Sequence, residues 1–475
     1  MKKILSTIFI LAFISVIITG CQDRADLTAP TPVSPKSGTA DFTRFVTIGN
    51  SLTAGYQSSA LYQSAQVWSY GNQIAKLVNT NYAMPLVSDP GLGGRLVIHS
   101  ISGPVIISQP SSGVPLNLNY AAPYNNLGIP GAMVYDVLNA KDSLTCFTSV
   151  YFHQNNPFFN LVLRNGTSTQ FQQARALQPT LLTCWIGNND VLTYATNGGY
   201  PSQLLTPAGT FNALYTQLGD SLASIGAKVV VANIPDVTTI PFFTTVGPVF
   251  AEEAPWAYFH AKGLPGFCYA HHEAGATGIA DSAALAHLQV LITLKGQGAL
   301  AFIGDTTGAY YTLNQITVPA GVNTHYPFGL VPFNPFPDEF VLDPAEMTTA
   351  ANAVAAFNQT ISTVAAAKGF GLVDIHAIFG NIFLQSVLHG GINYNGVNFT
   401  AFYISGGLFS LDGVHPTSQG QGLIADEFLK VINAKWGASY PLINLATIPG
   451  SIQFGKKAFS NNFSFEVSNW NNLGL

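Results

Sequence analysis

Phe45-Val-Thr-Ile-Gly-Asn-Ser-Leu-Thr-Ala-Gly-Tyr56 is the stretch on which the fold turns. Its apolar run, Phe45 to Ile48, reads as a buried strand that stops at Gly49, and Ser51 follows within two residues. A parallel strand delivers its C-terminal end to the crevice where α/β sheets bind ligands, so a hydroxyl nucleophile there is well placed. It can attack an ester only if a base and an oxyanion hole come from elsewhere in the chain. Near the C-terminus, Phe409-Ser-Leu-Asp-Gly-Val-His-Pro416 places Asp412 three residues before His415.

A spacing of three puts both side chains on one side of a turn. Asp412 can then reach Nδ1 of the His415 imidazole and set its tautomer, which leaves Nε2 for Ser51. Thr417 and the apolar spacing of Leu423, Ile424, Phe428 and Ile432 predict a helix directly afterwards, with the pair on the loop before it. Without Ser51, the same Asp-Gly-Val-His-Pro run would read as a surface turn with a capping aspartate.

Two inner blocks lie between these ends, Asn126-Leu-Gly-Ile-Pro-Gly131 and Gly187-Asn-Asn-Asp190. Together the four blocks resemble the GDSL, or SGNH, family of serine esterases and lipases, in the family's order, across residues 42–436. The resemblance implies a three-layer α/β/α, flavodoxin-like fold around a mostly parallel sheet. It also implies a Ser51–His415–Asp412 triad, and an oxyanion hole made of the Ser51 and Gly131 backbone N–H groups and the Asn189 side-chain amide. No metal and no organic cofactor are needed. Asn188 is the alternative register for Asn189, and Asp190 is expected to brace the loop. One position departs from the pattern: Asn50 stands where the family usually has Asp, keeping an acceptor oxygen but losing the charge.

Of the 475 residues, 48% are hydrophobic and only 9% charged, far from the composition of a disordered chain. A formal net charge of −5 without a basic patch argues against nucleic acid as a partner. Residues 1–21 read as a lipoprotein signal: Lys2 and Lys3, an apolar run from Ile4 to Ile18, and Ile18-Thr-Gly-Cys21, which resembles a bacterial lipobox. Cys21 is then the lipidation site and the mature N-terminus, tying the protein to a membrane. Gln22, rather than Asp, after the cysteine points to the outer membrane by analogy with the sorting rule of enteric bacteria. Residues 22–40, rich in Pro, Ser, Thr, Ala and Asp, read as a flexible tether.

Strand-like runs at 44–48, 181–186, 228–233 and 371–375 alternate with helical patterns at 67–78, 210–225 and 345–368. The last helix opens on Asp343-Pro-Ala-Glu346, an N-cap with Pro at the first position, and stops at Gly369. Strands alternating with helices predict a parallel sheet covered on both faces. The hydrolase domain spans 41–440, with two long insertions at 83–125 and 239–339. Each is either a binding loop or lid, or a packed decoration. Residues 441–475 form an extension of unknown role, with one short strand expected around Phe463-Ser-Phe-Glu-Val.

Cys184 reads as a buried thiol, whereas Cys146 and Cys268 have the option of pairing. Cys268-Tyr-Ala-His-His-Glu273 has metal-ligand residue types. However, adjacent histidines on a helix point about 100° apart, and no second cluster completes a site. His287, His325 and His376 are read as structural. The function expected is a lipid-anchored serine esterase or lipase of the bacterial envelope, acting on lipid or fatty-acyl esters. Removal of acetyl groups from polysaccharides is the nearest alternative, and a non-catalytic lipoprotein binding glycans or lipids is a second.

Overall fold

The computed structural model describes residues 35–100, 105–272 and 276–450. The signal segment with Cys21, most of the tether, Glu273 and the Phe463–Val467 run lie outside the described residues.

Five short strands build the central sheet: β1 (Phe45–Gly49), β2 (Asn126–Gly128), β3 (Leu181–Trp185), β4 (Lys228–Ala232) and β5 (Gly371–Val373). All neighbours are parallel, in the order β2-β1-β3-β4-β5. Four of the five are the apolar runs read from sequence. The fifth, β2, is three residues long, too short for any periodicity to reveal it. β1, β2 and β3 are fully buried, as expected of parallel strands covered on both faces.

The principal helices are α1 (Ser51–Ala54), α2 (Tyr70–Leu77), α3 (Gln170–Ala176), α4 (Asn189–Ala195), α5 (Ala208–Ala223), α6 (Pro344–Lys368), α7 (Ile375–His389) and α8 (Ser418–Trp436). α2 and α8 pack together on one face, where the Tyr70 and Phe428 rings stack at 4.7 Å and both approach Trp185. α5 and α6 pack on the other, where Phe211 and Phe357 stack at 3.9 Å. α6 begins as its sequence predicts: the Asp343 carboxylate accepts from the Ala345 and Glu346 N–H groups, and Gly369 closes the helix in the left-handed conformation. Thr417 likewise caps α8, its hydroxyl accepting from the Gly420 N–H.

The insertions are packed structures. The segment 239–339 folds around its own core, in which Phe250, Phe259, Phe267, Phe328 and Phe336 are buried. The segment 83–125 carries a hairpin, Leu96–Ser100 with Val105–Ser108, whose Ile98 and Ile106 lean on the buried pair Tyr403 and Ile404. Two boundaries shift from the expectation. The end of the tether is fastened, with the Lys36 and Ser439 backbones bonded and Ala40 buried. The chain after Tyr440 also stays on the domain: Leu445 and Ile448 are buried, and the Ile443 N–H donates to Asp426. The three described cysteines are free thiols, so Cys146 and Cys268 do not pair. No described helix is long and apolar enough to cross a membrane.

Candidate active site

The strand order places the site. After β1 the chain crosses to β2 on one side and then to β3 on the other, so the loops leaving these three strands diverge around one point. The first starts at Ser51, the second carries Gly131, and the third carries Asn189. Gly49 and Gly128 pair across β1 and β2 at that edge. A Cβ on Gly49 would collide with the Thr53 hydroxyl, which is why α1 can start immediately above the sheet. Gln170 on α3 ties the ends together, its amide donating to the carbonyl oxygens of Gly49 (2.9 Å) and Leu127 (2.6 Å). Gln421 on α8 donates to Leu52 O at 2.9 Å from the other side.

His415 Nε2 lies 2.9 Å from Ser51 Oγ, and His415 Nδ1 lies 2.9 Å from Asp412 Oδ2. Asp412 is itself heavily braced. Its Oδ1 accepts from the backbone N–H of His415 (2.8 Å) and Val414 (2.9 Å) and from the Ser410 hydroxyl (3.1 Å). Its Oδ2 also accepts from the Ser59 N–H at 2.8 Å. Burial alone would raise this carboxyl, but the His415 charge and these hydrogen bonds prevail and hold it at about 2. It therefore stays ionised at neutral pH, beside an imidazole whose other nitrogen faces the serine.

The turn that supplies Ser59 was not legible as part of the site. Ser58 and Ser59 both adopt positive φ, and the Ser58 N–H is received by the Ser410 hydroxyl, so the segment after α1 is bonded to the Asp412 loop. Tyr56 belongs to the same segment. Its ring stands 4.8 Å from the His415 ring, and burial first, then the Asp412 charge, push its phenol up.

Gly131 sits in a tight turn, Ile129-Pro-Gly-Ala132, closed by the Ala132 N–H donating to Ile129 O at 3.0 Å. Pro at the second position and Gly at φ +81° in the third are the signature of a type II turn. The Asn189 amide donates to Ala132 O at 2.8 Å, which orients it and leaves its second N–H for a ligand. Asp190 is the expected brace, bonded to the Val134 N–H (3.0 Å) and the Thr206 hydroxyl (2.8 Å). Asn50 caps α1 through the Leu52 N–H and donates through Nδ2 to Asn188 Oδ1 at 3.2 Å, a bond an aspartate could not make. The site thus uses Asn189 as the pocket residue and Asn188 as a support.

Ser51, Gly131, Asn189 and His415 all line one cavity of about 410 Å³. Neither insertion contributes to it. Its remaining walls come mostly from residues 148–158, notably Thr148, Gln154, Asn155, Asn156 and Phe158. That segment carries no catalytic motif and was invisible from sequence. Just outside, the helix Phe147–Phe152 buries none of its residues and exposes Val150 and Tyr151. A larger cavity of about 560 Å³, lined by Tyr62, Arg95 and Phe409 among others, contains neither Ser51 nor His415. His376 serves the fold, its Nδ1 lying 3.1 Å from Ile234 O.

Residues 45–276 match the sequence profile of the GDSL-like lipase/acylhydrolase family. This segment, about half of the chain, belongs to that family. The chain is a carboxylic ester hydrolase of the GDSL/SGNH type. Among solved structures it is similar to an alpha/beta hydrolase enzyme from the metagenome of Lake Arreo, Spain, at 11% identity and a TM-score of 0.32, over 83% of this chain and 96% of that one. A mutant of an acetyl-xylooligosaccharide esterase from Geobacillus matches at 11% identity and a TM-score of 0.30, over 82% of this chain and 93% of that one. No curated protein matches this GDSL/SGNH hydrolase at a significant level.

Proposed function

We propose that this hydrolase cleaves esters through an acyl-enzyme on Ser51. The observation that carries the reading is the unbroken relay of 2.9 Å contacts from Ser51 Oγ to His415 and from His415 to Asp412. In the first half-reaction His415 Nε2 takes the hydroxyl proton as Ser51 Oγ bonds to the acyl carbon. The same nitrogen then protonates the departing alcohol. In the second half it takes a proton from water, whose oxygen bonds to the acyl carbon, and returns that proton to Ser51 Oγ as the Oγ–acyl bond breaks and the acid leaves. Asp412 stays ionised and stabilises the imidazolium that forms in each half. The backbone N–H groups of Ser51 and Gly131 and the second N–H of Asn189 receive the oxyanion. Removing one such donor typically costs 10² to 10³ in kcat.

Lipid or fatty-acyl esters are the proposed substrates. The apolar shoulder formed by Phe147, Val150 and Tyr151 beside the cavity supports this, whereas most of the buried aromatic side chains of the 239–339 insertion pack in its own core. Carbohydrate acetyl esters are the second reading, favoured by the amide groups of Gln154, Asn155 and Asn156, which suit sugar hydroxyls. The signal-like segment ending at Cys21 supports anchoring by acyl chains in the bacterial envelope, at the outer membrane. Mass analysis of the N-terminal peptide tests that anchor: an unmodified Cys21 would sink it.

The decisive experiment is intact-mass analysis of the purified protein after treatment with a fluorophosphonate, beside Ser51→Ala. A single adduct that disappears in the variant is expected. No adduct on a well-folded wild type would overturn the catalytic reading in favour of a binding lipoprotein. A chain-length series of p-nitrophenyl esters then separates the substrates. Highest kcat/KM at eight carbons or more supports fatty-acyl esters, and a maximum at acetyl transfers the proposal to carbohydrate deacetylation.

A further inference from the structure

Away from the Ser51 crevice, the 239–339 insertion and the start of α6 bring a second set of polar side chains together. His271 and His272 do not lie on a helix. They follow the strand Phe267–Ala270, where the hairpin leaves its last paired residue. Opposite them stands the capping box of α6, which uses one oxygen of each of its carboxylates. Asp343 Oδ1 accepts from the Ala345 and Glu346 N–H groups, and Glu346 Oε2 accepts from the Asp343 N–H at 2.8 Å. The other oxygen of each faces a histidine. Asp343 Oδ2 is 3.0 Å from His271 Nε2, and Glu346 Oε1 is 3.3 Å from His272 Nδ1.

We propose that this cluster binds one divalent transition-metal cation of the zinc class, held by His271, His272 and Glu346 with Asp343 as the fourth ligand, and that the ion fastens the 239–339 insertion to the N-terminus of α6. Ligand atoms of the two histidines and Glu346 all lie within 4.8 Å of one another. Imidazole nitrogen with carboxylate oxygen is a donor set that suits zinc. In a tetrahedral site with bonds of about 2.0–2.1 Å, ligand atoms sit roughly 3.3–3.4 Å apart. The His272–Glu346 pair already has that separation. His271 needs to turn its ring from the 4.4 Å stack it makes with His272.

An independent observation points to a missing ligand. The Glu346 side chain is 4% exposed, yet its Oε1 has no hydrogen-bond partner, and a buried acceptor left so is costly. Gly199 faces that oxygen, and a Cβ there would stand 2.6 Å from it. The surroundings are anionic: Asp338, Asp343 and Glu346 crowd together.

The test uses the purified, untagged chain stripped with chelator and then given zinc or cobalt. One equivalent of zinc by elemental analysis is expected, with Tm raised by several degrees, since a ligand that binds only the folded state stabilises it. Cobalt should give visible bands of tetrahedral intensity. His272→Ala, at a partly exposed side chain stacked on Tyr200 and His271, should abolish the equivalent, the bands and the zinc-dependent Tm rise together, measured against the variant's own chelated Tm. Glu346→Gln should do the same, although it also touches the cap. Substoichiometric zinc, a Tm rise undiminished in His272→Ala, or a response to magnesium and calcium instead would each overturn the proposal.

Discussion

The Ser51 crevice and the His271–Glu346 cluster contain the same kinds of side chain in opposite states of satisfaction. At the crevice, Asp412 receives hydrogen bonds from Ser59, Ser410, Val414 and His415, and its charge is stabilised to a pKa of about 2. At the cluster, Glu346 keeps one buried oxygen without a hydrogen bond, and its charge is disfavoured. A carboxylate whose lone pairs are filled by the protein is finished as a structural part and serves the group beside it. One with a buried oxygen left unbonded is the proposed cation ligand. Full hydrogen bonding and its absence are thus as informative about role as residue identity.

The sharpest way to break the comparison is Asp412→Asn. It removes the charge that stabilises the imidazolium, so kcat on a reactive ester should fall by a factor on the order of 10³ to 10⁴. The zinc-dependent rise in Tm should be untouched. His272→Ala should give the reverse: kcat/KM within about twofold of wild type and no zinc response. Ester kinetics and thermal unfolding on the two variants side by side check both halves.

Gly131→Ala comes next. Its φ of +81° costs an L-residue roughly 1–2 kcal/mol, and the new Cβ would lie 2.8 Å from Asn156 Nδ2. The turn that aims an oxyanion donor would shift, and kcat should fall on the order of 10- to 100-fold with a small loss of Tm.

Acid should expose the Asp412 bracing. Its folded pKa lies below the ordinary value of 3.8, so the stability it contributes is present above pH 4 and is lost as pH falls towards 2. The amount is about 2 kcal/mol, and urea unfolding between pH 2 and 5 should show it in wild type but not in Asp412→Asn. Asp136 and Asp190 run the other way. Burial raises both to about 7, so their contribution favours the folded state at low pH and fades as pH rises from about 4 through 7.

The smallest effect is expected from Asn50→Asp. The cap on the Leu52 N–H survives, but the Asn50 donor to Asn188 is replaced by an acceptor. Activity should change by only a few-fold, and a larger loss would show that the Asn50–Asn188 bond, rather than the cap, holds Ser51 in place.

Much of the crevice was legible because its parts are encoded locally. The run ending at Gly49, the three-residue spacing of Asp412 and His415, and the cap at Thr417 each act within a few residues of themselves. Ser59, Gln170 and the wall at 148–158 were not legible, since each meets the site only after the chain has folded back from elsewhere. The insertions show the same limit from another side. Their aromatic content announced apolar burial, but whether the rings would face a substrate or each other depended on packing partners that composition does not name.

By itself, then, the amino-acid order determined the parallel sheet, the helix ends and the identity of the serine, histidine and aspartate, because periodicity, capping and short motifs are interactions of near neighbours. Tertiary structure alone decided which groups converge. It set Ser51 against His415 across 364 positions of chain, and it placed His271 and His272 at the end of a strand instead of on a helix. It also closed their cluster with Asp343 and Glu346 from the start of α6. The physical reason is that distances between remote side chains follow from the packing of strands and helices against a shared core, to which no single stretch of sequence refers.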